Sequence, residues 1–464
     1  MSPSKNAFRT TYIVFGILVL LGAYVYFFET GKKDESTTKK VFDVKKEDLK
    51  KIEIINNEKN ETLVLEKIGS TEDWKMIKPK QYELEKSELE GVLNSIVGLS
   101  IDKKFDNITD LSSYGLDKPS YTINFSIKGN KNFSLLIGSK TVTESFYYVK
   151  DASKKEMYTT FSYIVDSLKK GVKDLRKKTI LDIVLEKVTK LTIKFEKKEL
   201  VLSKEQDKWV ILPYNFTADK SSVEDLINKL KDLKAKDFIE DEPSDLKKYG
   251  LDKPKVTVLI NEGPDKPQMV FYIGKKLKDK EEDYAKREDV SVVYSIEHSF
   301  ATNFDKTYND FREKKLFSFK ESDIVEVEIL KDRKKIFAKK DRLGNFKIEE
   351  PIKKLADVPF NNLISEIASV RVDKFVDDSG KRLDKYGLKE PNCTISLYSL
   401  EGESKKIKAK LLIGNKEKED YYAKIDDLES VYIINKNIMN KIADIEKLIE
   451  ESKKSKESEV KKKK

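Results

Sequence analysis

The chain holds one cysteine, Cys393, and one histidine, His298. Disulfide frameworks, Cys/His zinc sites and reliable Cys-His dyads all need more, so those classes of mechanism are removed at the outset. A lone cysteine is compatible with either redox compartment. No G-x-S-x-G elbow, G-x-x-x-x-G-K-[ST] loop or G-x-G-x-x-G turn occurs, which leaves nucleophilic hydrolysis and phosphate cradling without their usual sequence context. Only one long apolar run is present, at the N-terminus.

A net charge of +10 invites a nucleic-acid reading, but its distribution speaks against one. Residues 1–40 carry six basic and three acidic groups, and residues 451–464 carry seven and three, so the body between them is close to neutral (10 − 3 − 4 = +3). Within that body Lys and Glu alternate, the pattern of solvated faces. Neither a basic stripe with stacking aromatics nor a reader motif is found, and no nucleic-acid partner is expected.

Tyr12 to Phe28 is an uncharged apolar run of 17 residues, between Lys5 and Arg9 on one side and Glu29 on the other. It is longer than a signal-peptide core and ends in Tyr24, Tyr26, Phe27 and Phe28 without a small-x-small cleavage site, so an uncleaved single-pass anchor is expected. Lys32 and Lys33 oppose the basic N-terminus, but the short basic end is placed inside and the long body outside. The localisation expected is a bacterial cytoplasmic (inner) membrane, with the N-terminus cytoplasmic and the bulk of the chain extracytoplasmic.

What the chain does have is repetition. The phrase Tyr114-Gly115-Leu116-Asp117-Lys118-Pro119 returns as Tyr249-Gly250-Leu251-Asp252-Lys253-Pro254 and as Tyr386-Gly387-Leu388-Lys389-Glu390-Pro391. Glycine in the left-handed region closes a helical turn and the following proline forbids its continuation. If Gly is the residue just beyond the helix (C′) of a Schellman motif, the next Leu should touch the residue five positions back. Those residues are Leu111, Leu246 and Leu383, an apolar partner in every copy. The phrase is therefore a structural turn, composed of Tyr114, Gly115, Leu116 and Pro119 and their equivalents Tyr249, Gly250, Leu251, Pro254, Tyr386, Gly387, Leu388 and Pro391.

Around it the pattern is restated three times. Period-two strands (Ile52 to Ile55, Thr62 to Lys67, Trp74 to Ile77) precede an amphipathic helix with Leu89, Val92, Leu93, Ile96 and Leu99 on one face, started by a capping box of Ser87 and Glu90. Strands follow the turn, one of them ending at Gly138. The second copy offers Ser221 with Glu224 as its box, Val223, Leu226, Ile227, Leu230 and Leu233 as its face, and Gly274 at its strand end. The third places Pro359 in the first helical turn, then Phe360, Leu363, Ile364, Ile367 and Val370, with Gly414 at the strand end. The fold class expected is α+β: three tandem repeats of mostly antiparallel β-meanders, each with a packed amphipathic helix, behind one N-terminal transmembrane helix.

The boundaries expected are an anchor and polar spacer at 1–40, with the span at about 12–28. Repeats follow at 41–176, 177–314 and 315–450, and a disordered Lys-rich tail at 451–464. A last amphipathic helix carries Ile438, Ile442, Ile445, Leu448 and Ile449. Asp174-Leu175-Arg176-Lys177-Lys178 and Asp310-Phe311-Arg312-Glu313-Lys314-Lys315 close the first two repeats, and the third copy, with nothing after it, lacks the phrase. Such a distribution points to a role in docking one repeat on the next.

An N-terminal anchor, an aromatic residue shortly before a proline (Trp74 with Pro79, Trp209 with Pro213, Phe346 with Pro351), Y-G-L-x-x-P, L-x-I-G and an aromatic strand such as Tyr421-Tyr422-Ala423-Lys424 together resemble the bacterial domain-of-unknown-function 4340 family, in tandem. The resemblance spans about 41–434. It implies envelope proteins without assigned catalytic residues, often associated with ABC-type transport systems akin to the gliding-motility auxiliary exporters. The third copy departs from the pattern at Phe346, Lys389 and Glu390.

Candidate chemistry is thin. His298 sits beside Ser299, but adjacent residues on a regular element cannot hold triad geometry, so a surface or capping place at the start of a helix is expected. Asp117 and Asp252 lack a third carboxylate and belong to turn chemistry. Tyr147, Tyr148, Tyr284, Tyr421 and Tyr422 are expected mainly in cross-strand packing. No catalytic residue, cofactor, metal or small-molecule substrate is assigned. The function expected is a membrane-anchored interaction or scaffold protein, with protein partners such as transporter subunits; the alternative is an envelope protein whose Tyr-bearing strands grip glycan or peptide.

Overall fold

The structure, a computed structural model, describes residues 39–69, 73–106, 108–351 and 358–462. The apolar run at 12–28 lies outside the described residues, and among those residues no helix is long and apolar enough to cross a membrane. The chain forms two compact units, Met1–Ile180 and Leu181–Lys464. The first carries one antiparallel sheet and the second carries two.

In the first unit the sheet is built from β1 (Leu49–Asn56), β2 (Glu61–Ile68), β3 (Asp73–Lys78), β4 (Lys103–Phe105), β5 (Tyr121–Ile127), β6 (Lys131–Lys140), β7 (Phe146–Asp151) and β8 (Met157–Phe161). Their spatial order is 3-2-1-5-6-7-8-4. Two meanders thus join where β1 pairs with β5, and short β4 returns to the far edge beside β8. That return sets the architecture. The helix Lys86–Val97 carries the chain from one edge to the other across one face, and the segment with the Tyr-Gly-Leu turn brings it back to the centre.

Both sheets of the second unit keep this order, with Phe216–Thr217 added as an edge strand on the first of them. All fifteen predicted helix-face residues are buried, from Leu89 at 8 % exposure to Val92, Val223 and Phe360 at zero. Each such aliphatic side chain contributes about 1.5–3 kcal/mol of transfer free energy. In the third repeat Ile438, Ile442, Ile445 and Ile449 of the last helix join the same core, while Leu448 remains 37 % exposed.

Several local expectations shift. Helix Lys86–Val97 starts one residue before Ser87, after Glu85, and no side chain caps it. Instead Glu85 is fixed by backbone pairing, its N–H donating to Leu175 O at 2.9 Å beside a bridge between Leu84 and Arg176. In the second repeat Asp219, and not Ser221, is the N-cap, accepting from Ser222 N at 2.8 Å and Ser221 Oγ at 2.5 Å. An ionised Asp two residues upstream outcompetes the hydroxyl because charge-assisted bonds at the positive helix end are stronger. Pro359 is the cap of Phe360–Ser369 and does not lie inside it. The tail differs most: the last helix runs Asn437–Lys462, through most of the stretch expected to be disordered. Its Glu and Lys residues are good helix formers and extend a helix already anchored by packing.

Candidate functional site: the Tyr-Gly-Leu turn and the repeat junction

Gly115, Gly250 and Gly387 have φ of 68°, 66° and 66°. In each copy Gly N–H donates three residues back (to Ser112, Lys247 and Asp384) and Leu N–H donates five back, to Leu111 (3.0 Å), Leu246 (3.1 Å) and Leu383 (2.8 Å). These are the two bonds of a Schellman motif. The element they close, however, is a single tight turn, Ser112–Tyr114 in the first copy and Lys247–Tyr249 in the second, and not the amphipathic helix. Asp110 and Asp245 open it by accepting from the N–H two residues on, both at 2.9 Å. The hydrogen bonds from Ser112 and Ser113 hold the Asp110 carboxyl at about 2, below the usual carboxylate range. Asp110-Leu111 and Asp245-Leu246 carry this signal in the sequence; the third copy has Arg382 in place of the Asp.

The glycines on the facing strand explain why the turn is where it is. Gly138, Gly274 and Gly414 do not end their strands; they lie within them at a bulge, between Ile137 and Lys140, Ile273 and Lys276, and Ile413 and Lys416. A Cβ on any of them would stand 2.1–2.2 Å from the carbonyl oxygen of Tyr114, Tyr249 or Tyr386. The two glycine motifs are two sides of one backbone contact. The tyrosines complete it: Tyr114–Tyr148, Tyr249–Tyr284 and Tyr386–Tyr422 ring centroids lie 4.8, 4.9 and 5.0 Å apart, all steeply inclined. Each arrangement adds to area burial by about 0.5–1.5 kcal/mol.

A second small core results on the sheet face away from the helix. In the second repeat it holds Tyr249, Leu251 and Val293 with Leu246 and Tyr284 against them, and in the third Tyr386, Leu388 and Val431 with Leu383 and Tyr422. The Tyr-bearing strands are therefore occupied by packing. Tyr147 is buried in the helix-side core, its hydroxyl donating to Asp166 at 3.0 Å, and burial first, then Asp166, pushes its pKa up to about 12. Asp117 and Asp252 are exposed. His298 begins the short helix His298–Ala301, and its Nδ1 lies 2.9 Å from an oxygen of buried Asp283, a partner that sequence alone did not supply.

At the repeat junction within the second unit the Asp-Phe-Arg phrase assembles residue by residue. Asp310 accepts from Thr307 N at 2.7 Å and closes the one-turn helix Tyr308–Phe311. Phe311 is 1 % exposed and anchors the turn in its own repeat. Arg312, 5 % exposed, pairs by an isolated bridge with Ala218 behind it and reaches forward. Its guanidinium donates to both oxygens of Asp378 (2.8 and 3.0 Å) and to Ser430 Oγ (3.2 Å), and Ser430 donates in turn to Asp378 at 2.8 Å. Phe216 of the second repeat and Phe375 of the third sandwich the guanidinium carbon at 3.7 and 3.9 Å. Planar, weakly hydrated and always charged, arginine suits this place and lysine would not.

Beyond the latch the chain pairs at Lys315 with Arg371, and Val372 N–H donates to Lys314 O at 2.7 Å. A cavity of about 750 Å³ opens beside it, bordered by Tyr214 and Leu428, which are 56 % and 47 % exposed. Among the described residues no group of three or more His, Cys, Asp or Glu is arranged to hold a metal ion.

The family model described as a domain of unknown function, DUF4340, matches residues 26–119, 74–214, 209–358 and 354–453. These segments cover most of the chain, which belongs to that family. They overlap and straddle the sheets: one begins at Trp74 and the next at Trp209, in the last strand of a first meander. No curated protein and no solved structure matches the chain.

Proposed function

We propose that this protein is a membrane-anchored, extracytoplasmic scaffold of the bacterial envelope, an accessory that brings protein partners to an ABC-type transport system. The observation that carries this reading is the Arg312 latch. A buried arginine, hydrogen-bonded through both terminal nitrogens, that ties two copies of one module together fixes their mutual orientation, and a fixed pair of modules is what a scaffold needs to present two surfaces to one partner. The apolar run at 12–28 supports the anchor, with the short basic end inside.

The test is affinity purification of the full chain from bacterial membranes in mild detergent. Transporter subunits should be recovered at a fixed ratio, and the Arg312→Ala chain should lose them while remaining in the membrane. Asp378 is partly exposed, so removal of its partner should destabilise the second unit by about 2 kcal/mol, short of unfolding it. Recovery of no membrane protein from either chain would sink the proposal.

A further inference from the structure

The outward face of the first sheet carries a groove of about 560 Å³ whose lining is unlike the rest of this Lys/Glu-rich surface. Across β1, β5 and β6 the register places Glu53 beside Asn124 and Asn124 beside Ser134, with Ser126 beside Asn132 in the next row. The same ladder position reads Thr192, Leu259 and Val270 in the second repeat, and Glu328, Ser396 and Lys410 in the third. Only the first copy places an amide in this row: Asn124 stands where the others have Leu259 and Ser396, and Ser134 where they have Val270 and Lys410.

Their bonding state is informative. Asn124 Nδ2 donates to Glu53 Oε2 at 2.8 Å, which orients the amide. Asp151, 3 % exposed, closes one end; it accepts from Ser153 N and Oγ at 3.0 and 2.8 Å. The side chains of Ser126, Asn132 and Ser134 make no hydrogen bond to any described residue. Lys51 pairs with Glu66 at 3.2 Å, Asp151 with Lys154 at 3.4 Å, and Glu53 accepts from Asn124, so the charged groups of the groove have partners and what remains is rich in groups that both donate and accept. Vicinal hydroxyls, each donor and acceptor at once, match that inventory; phosphate, carboxylate or ammonium does not.

We infer that this groove binds a short stretch of saccharide, with Asn124, Asn132 and Ser134 as the groups that read its hydroxyls. The location permits two sources of the same chemistry. Lys154, next to Ser153, donates to Val41 O at 3.2 Å, so the groove opens near the beginning of the described chain, where the sequence leads back to the apolar run. A free oligosaccharide and the headgroup of a glycolipid are both within the inference, which is independent of the scaffold proposal.

The experiment uses the full chain in nanodiscs, without sugar-headed detergents. Saturation-transfer NMR with chitotetraose and maltotetraose tests the free ligands, and nanodiscs containing a diglucosyl lipid test the headgroup by hydrogen exchange at β5 and β6. At least one probe should bind, and Asn132→Ala with Ser134→Ala should weaken it about tenfold, the cost of two lost hydrogen bonds, with an unchanged thermal midpoint. Binding by the tetrasaccharides or only by the glycolipid would each uphold the inference and identify the source. No response to any probe at millimolar concentration, or binding unaltered in the double variant, would overturn it.

Discussion

The two sides of each sheet are held by different physics. The helix side is a broad aliphatic core: in the third repeat it gathers Val327, Ile329, Phe360, Leu363, Ile367, Leu411 and Ile442, residues that share only size and hydrophobicity. The turn side is a small contact between two backbones, with a left-handed glycine on one and a bulge glycine on the other, and one tyrosine pair. What differs is tolerance. A core of interchangeable aliphatics accepts volume-conserving change, whereas a carbonyl within van der Waals reach of a glycine Cα accepts no added atom.

Four substitutions or measurements would break or sharpen that contrast. The largest effect is expected from Phe271→Ala on the helix side, about 3–5 kcal/mol lost in urea denaturation, because a fully buried ring leaves a cavity. Phe271→Leu should cost far less, and equal losses would refute a tolerant core. Gly274→Ala on the turn side should remove about 3 kcal/mol despite adding one carbon, since that carbon would sit 2.2 Å from Tyr249 O. A neutral result would show that the turn is not seated as described.

Gly250→Val should cost more than about 1 kcal/mol, because a β-branched residue resists φ of 66°. Retention of wild-type stability would mean the turn can adopt another conformation. The smallest effect concerns Cys393, whose thiol burial on the helix side pushes up to about 12. A folded pKa above the unfolded one means that the thiolate forms first in unfolded chains; stability is unaffected below roughly pH 8.5 and falls as pH rises from there. A thiol reagent at pH 8 should therefore leave native protein unmodified and label it fully in denaturant. Rapid labelling of the native form would show an open core.

Much of the fold was legible because its signals are local and repeated. The helix faces follow from 3.6-residue spacing, and the Leu111, Leu246 and Leu383 partners follow from the Schellman offset alone. The docking role of Asp310-Phe311-Arg312 was legible from where the phrase is absent. What it touches was not, since Asp378 and Ser430 lie 66 and 118 residues away and no pattern in the sequence connects them. The first helix start departs from the capping rule for a related reason: Glu85 is positioned by pairing with a segment ninety residues on, which local capping rules do not see. The bulge glycines looked like strand ends because a strand interior gives no local cause for glycine; the cause is a carbonyl from another element.

By itself, then, the sequence determined the number of modules, the period and facing of their elements and the left-handed glycine of each turn, all set by interactions within a few residues along the chain. Only the tertiary structure decided which strand each turn sits on, why Gly138, Gly274 and Gly414 admit no side chain, how Arg312 joins two repeats and where an amide-lined groove opens. Those depend on groups far apart along the chain, and contact at long sequence separation is fixed by packing, which leaves no periodic trace in the chain.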